Sequence, residues 1–188
     1  MTLPFVEKRL LSLSEYHKMA EVGILKEDDR VELLYGEITQ MSPITSEHAG
    51  QVNQVVRTLQ RELSFKETIV SVQNPISIPD LRSEPEPDIS VLKFRKDLYR
   101  KKHPLPEEVL LLIEVAVTTL KTDRKIKAPL YAQAGIPELW IITPLQAKIE
   151  VYKNPKEGEY RLREIYRAGD KIVCKSLAAE FDVAELLG

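Results

Sequence analysis

Residues 88–117 read DISVLKFRKDLYRKKHPLPEEVLLLIEVAV, two apolar runs on either side of a basic, proline-containing connection. The second run, Val109 to Val117, is apolar at nearly every position, the pattern of a strand buried on both faces. Together the runs predict neighbouring antiparallel strands. Opposed residues in such a hairpin share a constant index sum. The connection spans about Arg95 to Glu107 and centres near Lys101, so the sum is close to 202 and Glu114 faces Asp88. Directly opposed side chains point to one face, with Cβ atoms ~5 Å apart.

Two carboxylates so placed need an explanation. Like charges directly opposed destabilise a sheet, and burial raises the cost unless something neutralises them. A shared proton, a basic partner or a divalent cation would each serve. Spacing alone leaves open whether Asp88 and Glu114 hold a cation or whether Glu114 pairs with a lysine. An all-oxygen donor set would suit Mg²⁺ or Mn²⁺. Just upstream, SEPEP (83–87) adds Glu84 and Glu86 between prolines. Lying outside the strand, both are expected to face solvent.

The rest of the chain sets bounds. At 188 residues it fits one domain over 1–188, and 43% hydrophobic with 30% charged residues describes an ordinary soluble globular protein. No apolar run approaches the ~20 residues that span a bilayer. The opening MTLPFVEKRLLSLSEYH has an early acid and no long apolar core, so a mature N-terminus is expected, not a signal peptide. The single cysteine, Cys174, cannot form an internal disulfide, which fits the cytoplasm; it is expected to be a half-buried strand residue. A net charge of −2 argues against coating nucleic acid by bulk attraction, although local grip depends on how many cations meet phosphates. The dense basic run KFRKDLYRKKH (93–103) is expected to be a solvated loop, and to track phosphates if it lies beside the acids.

Periodicity supplies the other elements. Ser12–Glu15 fits a capping box opening a helix that stops near Gly23. RVELLYGEITQM (30–41) alternates around Tyr35-Gly36 as a hairpin. Thr45 or Ser46 caps a helix whose Val52, Val55, Val56, Leu59 and Leu63 form one stripe. TIVSVQNPISI (68–78) reads as an edge or bent strand. TDRKIKAPLYAQAG (122–135) predicts a helix kinked at Pro129, with Ile126 and Leu130 on its buried side and Lys125 and Lys127 on the two flanks. ELWIITP, KIEVYKN and EYRLREIY extend the sheet, and FDVAELL closes with a helical turn. The fold class is α/β (α+β), mainly antiparallel with one helical crossover. A lysine from the crossover helix could reach the acids, completing a set suited to metal-assisted phosphodiester hydrolysis. His48 is expected to pack on its helix face, with a phosphate contact as the alternative, and Trp140 and Tyr131 are expected in the core.

These residues resemble the PD-(D/E)XK nuclease superfamily: Pro87-Asp88, then Glu114 on the next core strand. More closely, the chain resembles the Uma-two endonuclease-like family through DDRVELLYGEITQMSPI, SVQNPISI, SEPEPDISVL, LLLIEVA and DRKIKAPLYAQAGIPELWII, in order and across nearly the whole length. The resemblance implies a restriction-endonuclease-like core, Mg²⁺ or Mn²⁺, and hydrolysis of nucleic acid, DNA above all. It implies Asp88, Glu114 and Lys127 as catalytic residues, with Asp88, Glu114 and the Val115 carbonyl on the metal. Glu32, Asp123 and His48 become accessory candidates; a cross-strand salt bridge is the rival reading of Glu32. The superfamily's usual lysine position holds Ala116 here, and the lysine moves to Lys127 on the helix. Where relatives carry a polar or acidic residue and serines, this chain has Val117-Thr118-Thr119. The alternatives are an inactive nucleic-acid-binding protein and a homodimeric structural module on the same fold, neither requiring a membrane.

Overall fold

A computed structural model describes residues 7–26, 28–64 and 66–188. The first six residues, part of the stretch on which the N-terminal expectation rests, lie outside these. Ser12 caps α1 (Leu13–Glu21) with the expected capping box to Glu15. Strands β1 (Val31–Leu34) and β2 (Glu37–Gln40) form the first hairpin. Its two-residue turn has φ of 51° at Tyr35 and 78° at Gly36. Two positive φ values match the right-handed twist of the flanking strands. Thr45, not Ser46, is the N-cap of α2 (Ser46–Glu62).

The central sheet has six strands in the order β3-β4-β5-β6-β7-β8. These are β3 (Thr68–Val72), β4 (Ile89–Lys93), β5 (Val109–Val115), β6 (Glu138–Thr143), β7 (Lys148–Lys156) and β8 (Glu159–Arg167). All neighbours are antiparallel except β5 and β6, which a helical crossover joins in parallel. The crossover comprises α3 (Leu120–Thr122), a π-helical turn (Asp123–Lys127) and α4 (Ala128–Gln133). A further hairpin, β9 (Lys171–Cys174) with β10 (Ala179–Asp182), leads into α5 (Val183–Leu187).

The sheet buries both faces. One carries Ile89, Ile113, Val115, Trp140 and Val151 against Val52, Val55 and Leu59 of α2 and Phe181 of β10. Trp140 meets Phe181 edge to face, with ring centroids 5.4 Å apart. The other face carries Leu112, Leu139 and Ile141 against Leu130 and Tyr131 of α4. Within each strand successive positions alternate between the two faces, as the pleat requires. In β5 Val109 breaks the alternation and joins Leu112 on the second face, because the register shifts between Val91 and Leu92. Cys174 is fully buried on β9, and burial pushes its thiol up to about 12, so it is inert core.

The crossover helix departs from expectation at one place. Pro129 neither breaks nor splits it; the widened π turn comes immediately before. Proline has no N–H for the preceding turn and its ring crowds the carbonyl at i−4, and widening relieves both. The phase of the helix shifts in consequence. Ile126 is 39% exposed, whereas Asp123 and Lys127 are buried. The expected flank has become the inner face.

Gly36 is the tightest constraint on the first hairpin. A Cβ there would lie 2.7 Å from the Leu10 Cβ and 2.9 Å from the Leu11 carbonyl oxygen. Gly36→Ala is expected to cost about 2 kcal/mol in urea denaturation, through steric overlap added to a left-handed backbone. Gly23→Ala, with φ of 76° but no atom within 4 Å, is expected to cost about 1 kcal/mol. Equal losses at both positions would rule out the steric contribution.

Candidate active site

The β4–β5 register pairs Ile89 with Ile113 and Ser90 with Leu112. Extended by one step, it sets Asp88 opposite Glu114, as the hairpin symmetry predicts. Both line a cavity of about 150 Å³ at the mouth of the sheet. Asp88 is held from two sides: Oδ2 accepts the Val115 N–H at 2.8 Å, and Oδ1 lies 2.9 Å from Nε2 of His48. His48 stands in the first turn of α2, positioned by the Thr45 cap. The hydrogen bond to Asp88 raises the His48 pKa, against partial burial, and contact with the Val115 carbonyl adds to it. His48 therefore faces the site, which corrects its expected helix-face packing.

Glu114 is 3% exposed. Its Oε1 accepts from the Tyr131 hydroxyl at 2.7 Å and meets Lys127 Nζ at 3.3 Å. Among the described residues Oε2 has no hydrogen-bond partner, which leaves that oxygen for a ligand in the cavity. Burial pushes the Glu114 carboxyl well above the usual range, against the pull of Lys127. Lys127 Nζ also contacts Glu32 Oε2 at 3.2 Å. These carboxylates keep the ammonium charged despite burial. Glu32 is thus paired with the crossover lysine, not with a cross-strand partner, and accepts from the Glu86 N–H at 3.1 Å. Asp123 is buried with Thr119 donating to it at 2.7 Å. Burial lifts its pKa to about 6.

The acids upstream do not simply face solvent. Glu84 is 6% exposed, because the bridge from Leu33 holds its backbone and His17 Nε2 lies 2.9 Å from its carboxylate. Glu86 is half-buried and lines the same cavity as Asp88. Burial raises its pKa, and Glu32 adds to the shift against the opposing Arg30. Arg30 also lines the cavity, with a buried Nε that has no hydrogen-bond partner among the described residues. Arg30 was not singled out from the sequence, and Glu86, Thr119 and Tyr131 were not read there as site residues. Only Tyr131 left a usable trace there, standing four residues beyond Lys127 as Lys127 stands beyond Asp123.

The donor set fits a hard divalent cation. Asp88, Glu114 and Val115 line one cavity, and Mg²⁺ is commonly held by one or two carboxylates with water completing its shell. Among the described residues no three His, Cys, Asp or Glu side chains form a metal-holding group by themselves. No helix among them is long and apolar enough to cross a membrane.

A family model described as "Uma2: Putative restriction endonuclease" matches residues 13–184. Among solved structures, the chain is similar to one described as a "putative nuclease belonging to DUF820" from Anabaena variabilis ATCC 29413. The TM-score is 0.71 at 15% identity, over 94% of this chain and 97% of that one. At that identity the likeness establishes the fold. No curated protein matches.

Asp123 allows a test of the site's electrostatics. Its folded pKa of about 6 lies above the unfolded value, so between about pH 4 and pH 6 the native state holds a proton that the unfolded chain has lost. Stability therefore falls as pH rises through that window. Asp123→Asn is expected to be more stable than wild type by roughly 2–3 kcal/mol above the window and to match it near the lower edge. Urea midpoints across the range would show it, and parallel pH profiles would refute it.

Proposed function

The chain belongs to the Uma2 family, and from that premise we propose that it is a metal-dependent endonuclease hydrolysing phosphodiester bonds, with DNA as the principal substrate class. The observation that carries this reading is the convergence of Asp88, Glu114 and Lys127 on one cavity from β4, β5 and the crossover helix. A divalent cation bound there would activate water and draw charge off the scissile phosphate.

The residues divide that work. Asp88 lines the site with Oδ1 against His48 Nε2 and Oδ2 fixed by the Val115 N–H, so a cation there would share Oδ1 with the imidazole. Glu114 presents Oε2, because Tyr131 and Lys127 occupy Oε1. The Val115 carbonyl is the third protein oxygen in reach. Lys127 brings a permanent positive charge to where negative charge develops on phosphate, and its burial from bulk water makes that charge more effective. Glu32 fixes the lysine, while Arg30 offers a second cation to a substrate phosphate. His48 positions Asp88. Thr119, in the segment that departs from the family pattern, and Asp123 beyond it form a polar wall.

A second reading, nucleic-acid binding without turnover, draws on the His48 ring, which already contacts both Asp88 and the Val115 carbonyl. Assays with duplex DNA, single-stranded DNA and RNA in Mg²⁺ or Mn²⁺ distinguish the two. Under the endonuclease reading Asp88→Asn and Glu114→Gln each lower cleavage at least about 100-fold, and both weaken Mn²⁺ binding in calorimetry. Lys127→Met lowers the rate while leaving some metal affinity. Cleavage unchanged in both acid variants would overturn the assignment. Metal-independent binding with no detectable cleavage in the wild type would favour the second reading.

A further inference from the structure

The basic connection between β4 and β5 lines a second, larger cavity of about 810 Å³, together with His17 and Glu84. Glu84 faces this cavity, whereas Glu86 and Asp88 face the first. The two cavities therefore lie on either side of one short segment. Four residues of extended chain reach at most about 14 Å, which bounds the backbone separation of Glu84 and Asp88.

The connection is built, not slack. Leu98 and Tyr99 both adopt left-handed backbone, with φ of 51° and 59°, although neither is glycine. Surrounding contacts must hold such a conformation, and it recurs at functional loops. Arg95 supplies many of them. It makes two bonds to Asp97 at 3.0 and 2.8 Å, one to Glu108 at 3.0 Å, and stacks 4.4 Å from the centre of the Tyr99 ring. The Tyr99 hydroxyl donates to the Lys93 carbonyl at 2.8 Å, and Ser77 N–H to that of Pro104 at 2.9 Å. With Arg95 so engaged, Arg100, Lys101 and Lys102 project into solvent and have no ion-pair partner among the described residues.

We propose that this rigid loop is a phosphate-tracking groove: Arg100, Lys101 and Lys102 hold the backbone of the nucleic acid to one side of the bond to be cut. A row of exposed cations on a fixed loop suits a repeating anion better than one small one. The choice of ligand rests on the proposed function; the groove itself does not require turnover.

The test is binding of a short labelled duplex to metal-free protein, by fluorescence anisotropy across a range of salt. Removing all three charges (Arg100→Ala, Lys101→Ala, Lys102→Ala) is expected to lower low-salt affinity at least about ten-fold. The slope of log K against log salt should become shallower by about 0.9 for each phosphate that the variant no longer neutralises, up to roughly 2 to 3. Removing the exposed Lys156 and Lys175 as a control should change neither quantity. Equal loss in the control, unchanged slope in the triple variant, or no binding by the wild type would each overturn the groove. Asp88→Asn keeps the two proposals apart. Salt-dependent binding that survives in this variant and weakens with the loop charges supports the groove even if no cleavage is found. Cleavage with loop-independent binding overturns the groove alone.

Discussion

The ammonium of Lys127 lies between Glu32 on β1 and Glu114 on β5, 3.2 and 3.3 Å away, with 6% of the residue exposed. Three elements remote in sequence meet at that charge: the first hairpin, a central strand and the crossover helix. Desolvating such a group is costly, and replacing buried ion pairs with apolar residues often leaves stability unchanged or improves it. Its contribution here is positional. The lysine must stand where two carboxylates can accept it, so the hairpin cannot slide along the sheet without leaving charge uncompensated. The backbone reinforces this, since Leu33 bridges Glu84 and Gly36 N–H donates to the Arg82 carbonyl at 2.8 Å.

The same constraint accounts for the crossover helix. In a regular helix the apolar pattern would turn Ile126 and Leu130 inward together. The π turn ahead of Pro129 instead brings Asp123 and Lys127 inside and leaves Ile126 partly exposed. An apolar contact has been exchanged for a charge in the cavity. Stability alone would not favour that, whereas the phosphate chemistry proposed for the cavity would. Irregular helical turns concentrate at such places. Tyr131, one turn further on, is buried among apolar neighbours while its hydroxyl reaches Glu114.

The acids of 83–88 show why a cluster in sequence need not be one in space. Pro85 and Pro87 keep the segment extended and limit its backbone donors, so each carboxylate finds its own partner. Glu84 takes His17 from α1, Glu86 lies near Arg30, and Asp88 takes His48 from α2. Two cavities result, one lined by Glu86, Asp88 and Glu114, the other by Glu84 with Arg100, Lys101 and Lys102. An overall charge of −2 conceals that separation.

Local pattern was enough to read the six strands of the central sheet, the Ser12 cap, the Tyr35-Gly36 turn and the facing of Asp88 and Glu114, because alternation, helical spacing and hairpin symmetry are properties of the chain itself; it left Thr45 and Ser46 open as the second cap and read Phe181 and Asp182, the end of β10, as helical turn. It failed where partners come from distant segments. Glu84 and Glu86 looked solvated because their neighbours in sequence are prolines, and His48 looked like packing because its target is Asp88, forty residues on. Ile126 and Lys127 exchanged roles because the helix departs from its ideal phase at a proline. The sequence alone determined which residues could carry the chemistry and which strand would bring two of them together. Only the folded chain decided which carboxylates share a cavity, since burial and opposite charge act through space and are set by every element that packs around them.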